Sequence, residues 1–88
     1  MKEELLKIIN HYGINNQQRK LEEEVFELQE AIIKYENNCN LTRESIKEEI
    51  ADVSVLLQQI SEYYDISFED IYPIMKNKIN RTMERMKK

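Results

Sequence analysis

The sequence predicts an all-α fold: an antiparallel helical hairpin flanked by an N-terminal and a C-terminal helix. The 88 residues include one Gly and one Pro, while the residues that dominate the chain favour helices. Apolar residues recur every three or four positions along most of the chain, and no segment alternates as a strand does. The polar stretch ENNCN, residues 36–40, separates two long periodic segments and predicts a loop. This length predicts a single domain over residues 1–88.

The first two helices are predicted from turn and capping signals around a single glycine. The first runs from about residue 2 to residue 11, and Gly13 is expected to end it in the left-handed conformation. The second is expected to begin with Asn15 as its N-cap, because Gln18 follows three residues later in a capping-box pattern. It should continue to about residue 35.

The fourth helix is predicted from a second capping pattern, in which Asp70 follows Ser67 by three residues. Pro73 lacks a backbone N–H and its ring disturbs the preceding turn, so a break or kink is expected between Ile71 and Pro73. Beyond Pro73 the helix should continue to the C-terminus.

The second and third helices each carry one apolar stripe whose members step alternately by four and three residues. On the second helix the stripe consists of Leu21, Val25, Leu28, Ile32 and Tyr35. On the third helix, which is capped by Thr42 or Asn40, it consists of Ile46, Ile50, Val53, Leu57, Ile60 and Tyr64. Two such stripes joined by a short loop predict an antiparallel hairpin with the stripes along its seam.

Two pairs of acidic residues lie beside these stripes at matching positions. At about 100° per residue, Glu24 and Glu27 lie roughly 60° and 120° to one side of their stripe, and Glu49 and Asp52 have the same offsets from theirs. The pairs are equally far from the loop, so the hairpin should bring Glu24 level with Asp52 and Glu27 level with Glu49. Four converging carboxylates repel one another and need cations, and oxygen ligands select Mg²⁺ or Mn²⁺. The simpler interpretation is an ordinary charged face beside a helical seam.

Charge divides the chain into two unequal parts. Residues 1–75 carry 7 basic and 16 acidic residues, whereas residues 76–88 carry 6 basic and 1 acidic residue. One interpretation is a solvated helix end whose cations favour the C-terminal dipole. The other is a basic segment that meets an anion held elsewhere in the protein.

At the acidic pairs the sequence resembles a known family. LEEEVFEL, residues 21–28, and EEIADVSVLL, residues 48–57, resemble the two motifs, ExxE and ExxD, of MazG-like members of the all-α nucleoside triphosphate pyrophosphatase superfamily. The resemblance extends upstream through YGINNQQRKL and downstream to KNKINRTMER. The segment VSVLLQQ lacks the histidine that is typical of the phosphoribosyl-ATP pyrophosphohydrolase branch, so that branch is disfavoured.

The resemblance implies Mg²⁺-dependent hydrolysis of a nucleoside triphosphate, NTP or dNTP, to the monophosphate and pyrophosphate. Mn²⁺ is an alternative cofactor. Both damaged nucleotides and ordinary dNTPs stay open as substrates. The residues implied as metal ligands and catalytic groups are Glu24, Glu27, Glu49 and Asp52. The residues implied as contacts to the substrate phosphates are Lys78, Arg81 and Arg85.

Two other classes of function compete with this one. A non-catalytic helical module for oligomerisation or partner binding accounts for the stripes but leaves the matched acids unexplained. Nucleic-acid binding through the basic end is disfavoured, because no aromatic residues are interleaved with the basic ones.

Assembly and location are predicted from apolar surface and composition. A second apolar stripe at Phe26 and Ile33 predicts a homodimer or homotetramer in which hairpins form shared four-helix bundles. The lack of a run of about 20 apolar residues and the single cysteine, Cys39, favour a cytoplasmic protein without a membrane contact.

Overall fold

The chain forms four helices in a computed structural model that describes residues 1–37 and 43–87. The helices are α1 (Lys2–Tyr12), α2 (Ile14–Glu36), α3 (Arg43–Tyr63) and α4 (Phe68–Met86). These ranges contain no strand, which confirms the predicted all-α fold. None of the four helices, as far as they are described, is long and apolar enough to span a membrane. The alternative caps Asn40 and Thr42 and most of the predicted loop lie outside the described residues.

Helices α2 and α3 form the central contact of the chain and run antiparallel. Near the start of α2, Gln17 donates a hydrogen bond from Nε2 to Oε1 of Gln59, near the end of α3, at 2.8 Å. Farther along α2, Glu24 lies beside Asp52, which comes earlier in α3. The predicted helical hairpin is therefore present. Helix α1 packs against both of its helices, more extensively against α3.

A single residue, Gly13, separates α1 from α2. Its φ of 92° lies in the positive range that favours glycine, but its ψ of 148° is extended rather than left-handed helical. Its N–H donates to the carbonyl of Ile9 at 2.8 Å. Because the chain changes direction within this one residue, α2 begins at Ile14 and Asn15 lies inside the helix without capping it. The prediction that Gly13 ends α1 with a positive φ is confirmed, although its ψ is not that of a left-handed helix, and the predicted N-cap at Asn15 is wrong.

Helix α4 begins as predicted and continues where a break was expected. The hydroxyl of Ser67 accepts the N–H of Asp70 at 3.3 Å, and Asp70 Oδ2 accepts the N–H of Ser67 at 3.0 Å, which confirms the capping box. The helix is unbroken through Pro73, so the predicted break between Ile71 and Pro73 is wrong. Pro73 removes only the hydrogen bond to the carbonyl of Glu69, an exposed residue of the first turn, where water can replace it.

The fully buried residues of the hairpin lie on or beside the acid-bearing strip, while the predicted stripes divide into half-buried and exposed members. The half-buried members are Leu21, Leu28, Ile46, Val53 and Ile60. The buried residues of α2 and α3 are Gln17, Glu24, Ala31, Leu56 and Gln59. Six residues of the predicted stripes are instead 37–59% exposed, namely Val25, Ile32, Tyr35, Ile50, Leu57 and Tyr64. A contact between two helices buries only a narrow seam, and the small side chain of Ala31 allows close approach there. The wide apolar faces therefore lie at the flank of the hairpin within one chain.

Helix α4 packs on no other helix in the described part of the chain. It buries none of its residues, and no Cα atom of α4 lies within 8 Å of one in α1, α2 or α3. Four residues of its apolar stripe, Tyr72, Met75, Ile79 and Met83, are 45–58% exposed. The radius of gyration is 15.9 Å, against about 12 Å for a compact domain of this length. A single chain is therefore less compact than a typical domain of its length, and its α4 packs against no other described helix.

Candidate metal centre

Three carboxylates converge between α2 and α3. Each of Glu24, Glu49 and Asp52 offers one oxygen, and these oxygens all lie within 4.8 Å of one another. Glu49 and Asp52 are three residues apart on α3, so they share a face, and the antiparallel packing places Glu24 opposite them. Glu24 is buried, Glu49 is half-buried and Asp52 is exposed. The centre therefore opens to solvent on the Asp52 side.

Two oxygens of this centre are buried without a hydrogen-bond partner. They are Oε2 of Glu24 and Oε2 of Glu49. A buried anionic oxygen with no partner costs free energy, because its hydration is lost and nothing replaces it. A divalent cation between these oxygens would remove that cost. The donor set is all oxygen, which suits Mg²⁺ or Mn²⁺ better than a softer metal. The residues present thus fit a hard divalent cation.

Burial and repulsion both act on Glu49. Its burial raises the pKa of its carboxyl, and the charges of Asp52 and Glu24 raise the pKa further. Without a cation, this part of the centre therefore holds a proton more readily than an ordinary glutamate does.

The structure places Glu27 at the edge of the centre. Glu27 is exposed and is not one of the three residues whose oxygens converge. Hydrogen bonding to the Glu24 carboxyl and repulsion by it raise the pKa of Glu27, and the charge of Glu49 adds a smaller effect. Of the four predicted ligands, three meet in one group and the fourth lies within electrostatic range of it.

One cation reaches the centre from within the chain. Lys20 Nζ lies 3.3 Å from Glu24 Oε1, and the hydrogen bond to Glu24 raises the pKa of Lys20. Lys20 is not among the site residues predicted from the sequence. The signal that identifies it is the spacing Lys-x-x-x-Glu, because residues four apart on a helix are neighbours.

The predicted phosphate-binding residues lie elsewhere in the chain. Lys78, Arg81 and Arg85 are spaced three and four residues apart, so they share one face of α4. Because α4 packs on neither α2 nor α3 in the described residues, one chain does not bring these cations to its own carboxylates.

The fold and the site together define a helical protein with an all-oxygen centre of the kind that binds divalent cations. The chain belongs to the MazG family, since the model of the MazG nucleotide pyrophosphohydrolase domain matches residues 12–86. That range contains both the acid-bearing hairpin and the basic face of α4. Comparisons with curated proteins and with solved structures give no significant match. The family supports a nucleotide pyrophosphohydrolase activity in general terms.

Proposed function

We propose that this protein is a Mg²⁺-dependent nucleoside triphosphate pyrophosphohydrolase. It would cleave NTPs or dNTPs between the α- and β-phosphates, releasing the monophosphate and pyrophosphate for nucleotide-pool control or house-cleaning in the cytoplasm. The observation that carries the proposal is the group formed by Glu24, Glu49 and Asp52, two of whose buried oxygens lack partners. A non-catalytic helical module would leave those two costly oxygens unexplained.

The residues of the centre have separate roles in this proposal. Glu24, Glu49 and Asp52 would hold the cation, with Glu27 completing the set from the edge. When bound, the cation supplies Lewis-acid stabilisation of the phosphoryl oxygens and makes a coordinated water more acidic.

The proposal assigns the substrate phosphates to the basic face of α4, formed by Lys78, Arg81 and Arg85. These cations would neutralise charge that grows on the leaving pyrophosphate. Since α4 does not pack on the hairpin of its own chain, the proposal includes a second copy whose α4 lies against this hairpin. On α4 the basic face lies roughly 130° from the apolar stripe. Docking of the apolar stripe would therefore leave these cations outside the apolar contact and free to reach phosphates, with Lys78 nearest to its edge.

Surface area supports an assembly of at least two copies. The chain exposes 7493 Å², whereas a compact protein of 10.7 kDa exposes about 5,500 Å². The excess of about 2,000 Å² is larger than the roughly 800 Å² that each partner buries in a standard interface. Phe26 and Ile33 on α2 add two apolar side chains that are at least 60% exposed. We therefore include a homodimer, or a dimer of dimers, with shared four-helix bundles.

An activity assay tests the reaction itself. The protein is incubated with Mg²⁺ and a panel of canonical and modified NTPs and dNTPs, and the products are separated. The expected products of at least one substrate are the monophosphate and pyrophosphate. A diphosphate with orthophosphate would place the attack at the γ-phosphorus and contradict the proposal. Chelation of the metal should abolish product formation, and Mn²⁺ should restore it.

Mixing two inactive variants tests whether α4 acts on the partner copy. Asp52→Asn removes a proposed ligand from the hairpin, and Arg81→Ala removes a proposed phosphate contact from α4. In a mixed dimer, one site would combine the intact acids of one copy with the intact α4 of the other. Activity should therefore reappear when the two variants are unfolded together and refolded as a mixture. If the mixture stays as inactive as its components, α4 does not complete the site of its partner.

A further inference from the structure

Lys20 occupies a position that the proposed reaction has not used. Its ammonium is 3.3 Å from Glu24 Oε1, while the other oxygen of the same carboxylate is buried without a partner. The Lys20 side chain is 53% exposed and that of Glu24 only 9%. Lys20 therefore lies between the carboxylate centre and the solvent, on the side of the centre that faces the start of α2.

Lys20 also lines a groove that leads away from the centre. The groove has a volume of about 530 Å³ and includes the aromatic ring of Tyr12, the amide of Gln17, the guanidinium of Arg19 and the carboxylate of Glu23. Small-molecule sites in proteins occupy about 300–1,000 Å³. The aromatic ring, the side-chain amide and the two cations suit a phosphorylated ligand, whereas a phosphate beside the Glu23 carboxylate would be repelled. A ligand whose phosphates reach the carboxylates can extend along this groove and contact Lys20 as it passes.

Lys20 and a divalent cation compete for the same carboxylate. A cation held by the Glu24 carboxylate would lie close to the Lys20 ammonium, which is 3.3 Å from Glu24 Oε1, and like charges repel strongly where the site is partly shielded from water. The ammonium sits on a flexible chain of four carbons and can swing away from the carboxylate. A phosphate oxygen on the nearest part of a bound ligand is then the closest anionic partner for it.

We propose that Lys20 exchanges partners: it neutralises Glu24 while the centre holds no cation, and it contacts a phosphate of the nucleotide once a divalent cation takes Glu24. The second half of this proposal rests on the proposed function. The exchange gives Lys20 two opposite effects, because it opposes binding of the metal alone and favours binding of the metal together with a polyphosphate.

Three variants and two probes test the exchange without any hydrolysis. Lys20→Met removes the charge, Lys20→Arg keeps it, and Lys34→Met is the matched control, because Lys34 pairs with Glu30 at 3.1 Å across the same spacing on α2. The probes are Mn²⁺ alone and the Mn²⁺ complex of inorganic tripolyphosphate, which carries the phosphates but no base or sugar. Both affinities are measured by calorimetry.

Lys20→Met should bind Mn²⁺ alone about two- to fivefold more tightly, since a competing ion pair is gone. It should bind Mn²⁺-tripolyphosphate about tenfold more weakly, since a charged hydrogen bond is lost. Lys20→Arg should restore the second affinity, and Lys34→Met should change neither. If Lys20→Met matches Lys34→Met with both probes, the exchange is refuted. Weaker binding of both probes would make Lys20 a structural support of Glu24 and would also refute it. If the parent protein hydrolyses no triphosphate, yet Lys20→Met binds Mn²⁺ more tightly and Mn²⁺-tripolyphosphate more weakly than the parent does, the proposed function is overturned and the exchange stands.

Discussion

The α2–α3 hairpin and α4 are both amphipathic, yet the chain treats them in opposite ways. In the hairpin each helix finds a partner, and the face that it buries is partly polar. In α4 an apolar stripe stays exposed along the whole helix, although its N-terminus is capped by a complete box. The difference shows that capping and amphipathicity are enough to form a helix, but they do not determine which other helix it packs against. One chain builds the acidic half of the proposed site and leaves the basic half unplaced.

The hairpin mixes polar and apolar side chains in its seam, where Ala31 and Leu56 are buried beside polar groups. Its seam contains the Gln17–Gln59 hydrogen bond and the carboxylate of Glu24, while Ile50 and Leu57 are about half exposed. Burying polar groups costs free energy unless they find partners. The amide pair meets this condition within the chain, whereas Glu24 meets it only in part. The seam therefore holds groups of the proposed site, while the apolar side chains on the flank of the hairpin are exposed and available to pack against another copy.

The largest expected effect comes from removing one charge from the acidic centre. Asp52→Asn keeps the shape of the side chain, but the cation loses a ligand, so activity should fall about 100-fold or more. The metal-free variant should be at least as stable as the parent, because one repelling charge is gone. The rise in melting temperature on adding Mg²⁺ should shrink, since ligand binding to the folded state becomes weaker.

The exposed residue Glu22, on the opposite side of α2, provides the control for this substitution. Glu22→Gln should leave the rate, the metal-free melting temperature and the response to Mg²⁺ unchanged. If Asp52→Asn kept full activity and an undiminished response to Mg²⁺, the carboxylates would be an ordinary solvated helix face and not a metal centre.

The next effect should come from the apolar stripe of α4. Ile79→Asp places a charge where we propose that another copy packs, and burying an isoleucine side chain contributes about 1.5–3 kcal/mol. The dissociation constant of the assembly should therefore increase at least about tenfold, as measured by sedimentation at micromolar concentration. Asn77→Asp introduces the same charge on the opposite face of α4 and should leave the assembly intact. A parent that sediments as a monomer would contradict the proposed oligomer.

Helix geometry explains which parts of the centre could be predicted from the sequence. The spacing of three residues between Glu49 and Asp52 puts both on one face of any helix, and the equal distances from the loop place Glu24 opposite them. No comparable local signal in the sequence predicts how each helix is rotated about its own axis, and hence which face it buries. Leu57 was expected in the seam and Leu56 is buried instead, because the choice between faces depends on which partners are available.

The wrong predictions at helix ends have a related cause. Asn15 carries a good capping pattern, but the change of direction is completed at Gly13, so the helix has already begun before Asn15. Pro73 is unfavourable inside a helix, but it lies close to an exposed first turn, where the lost hydrogen bond is cheap. Local signals compete with the geometry of the surrounding chain, and the sequence alone does not weigh the two.

A smaller effect should come from the buried amide pair of the hairpin. Gln59→Leu leaves the Gln17 amide buried without its partner, which should lower the free energy of unfolding by about 1–3 kcal/mol. Gln58→Leu, at the neighbouring exposed position, should change it by less than about 0.5 kcal/mol. Adding Gln17→Leu to the first variant should recover part of the loss, because two apolar groups can then pack together. Urea unfolding of the four proteins measures these differences, and equal losses for Gln59→Leu and Gln58→Leu would contradict the role of the pair.

The smallest expected effect is a pH dependence that distinguishes the hairpin from the rest of the chain. The pKa values of Glu27 and Glu49 are raised above the ordinary 4.5, by the Glu24 carboxyl and by burial respectively. A group whose pKa is higher in the folded state binds its proton more tightly there, so the fold gains stability as the pH falls through the raised pKa towards 4.5 and loses it as the pH rises. The metal-free melting temperature should therefore increase as the pH falls from about 7 to about 5. The lowered pKa of Glu4 acts only below 4.5, outside this window. Saturating Mg²⁺ should flatten the slope, because a bound cation replaces the proton, and Glu49→Gln should reduce it where Glu22→Gln does not. A slope that neither Mg²⁺ nor Glu49→Gln alters would mean that the pH dependence arises outside the carboxylate centre.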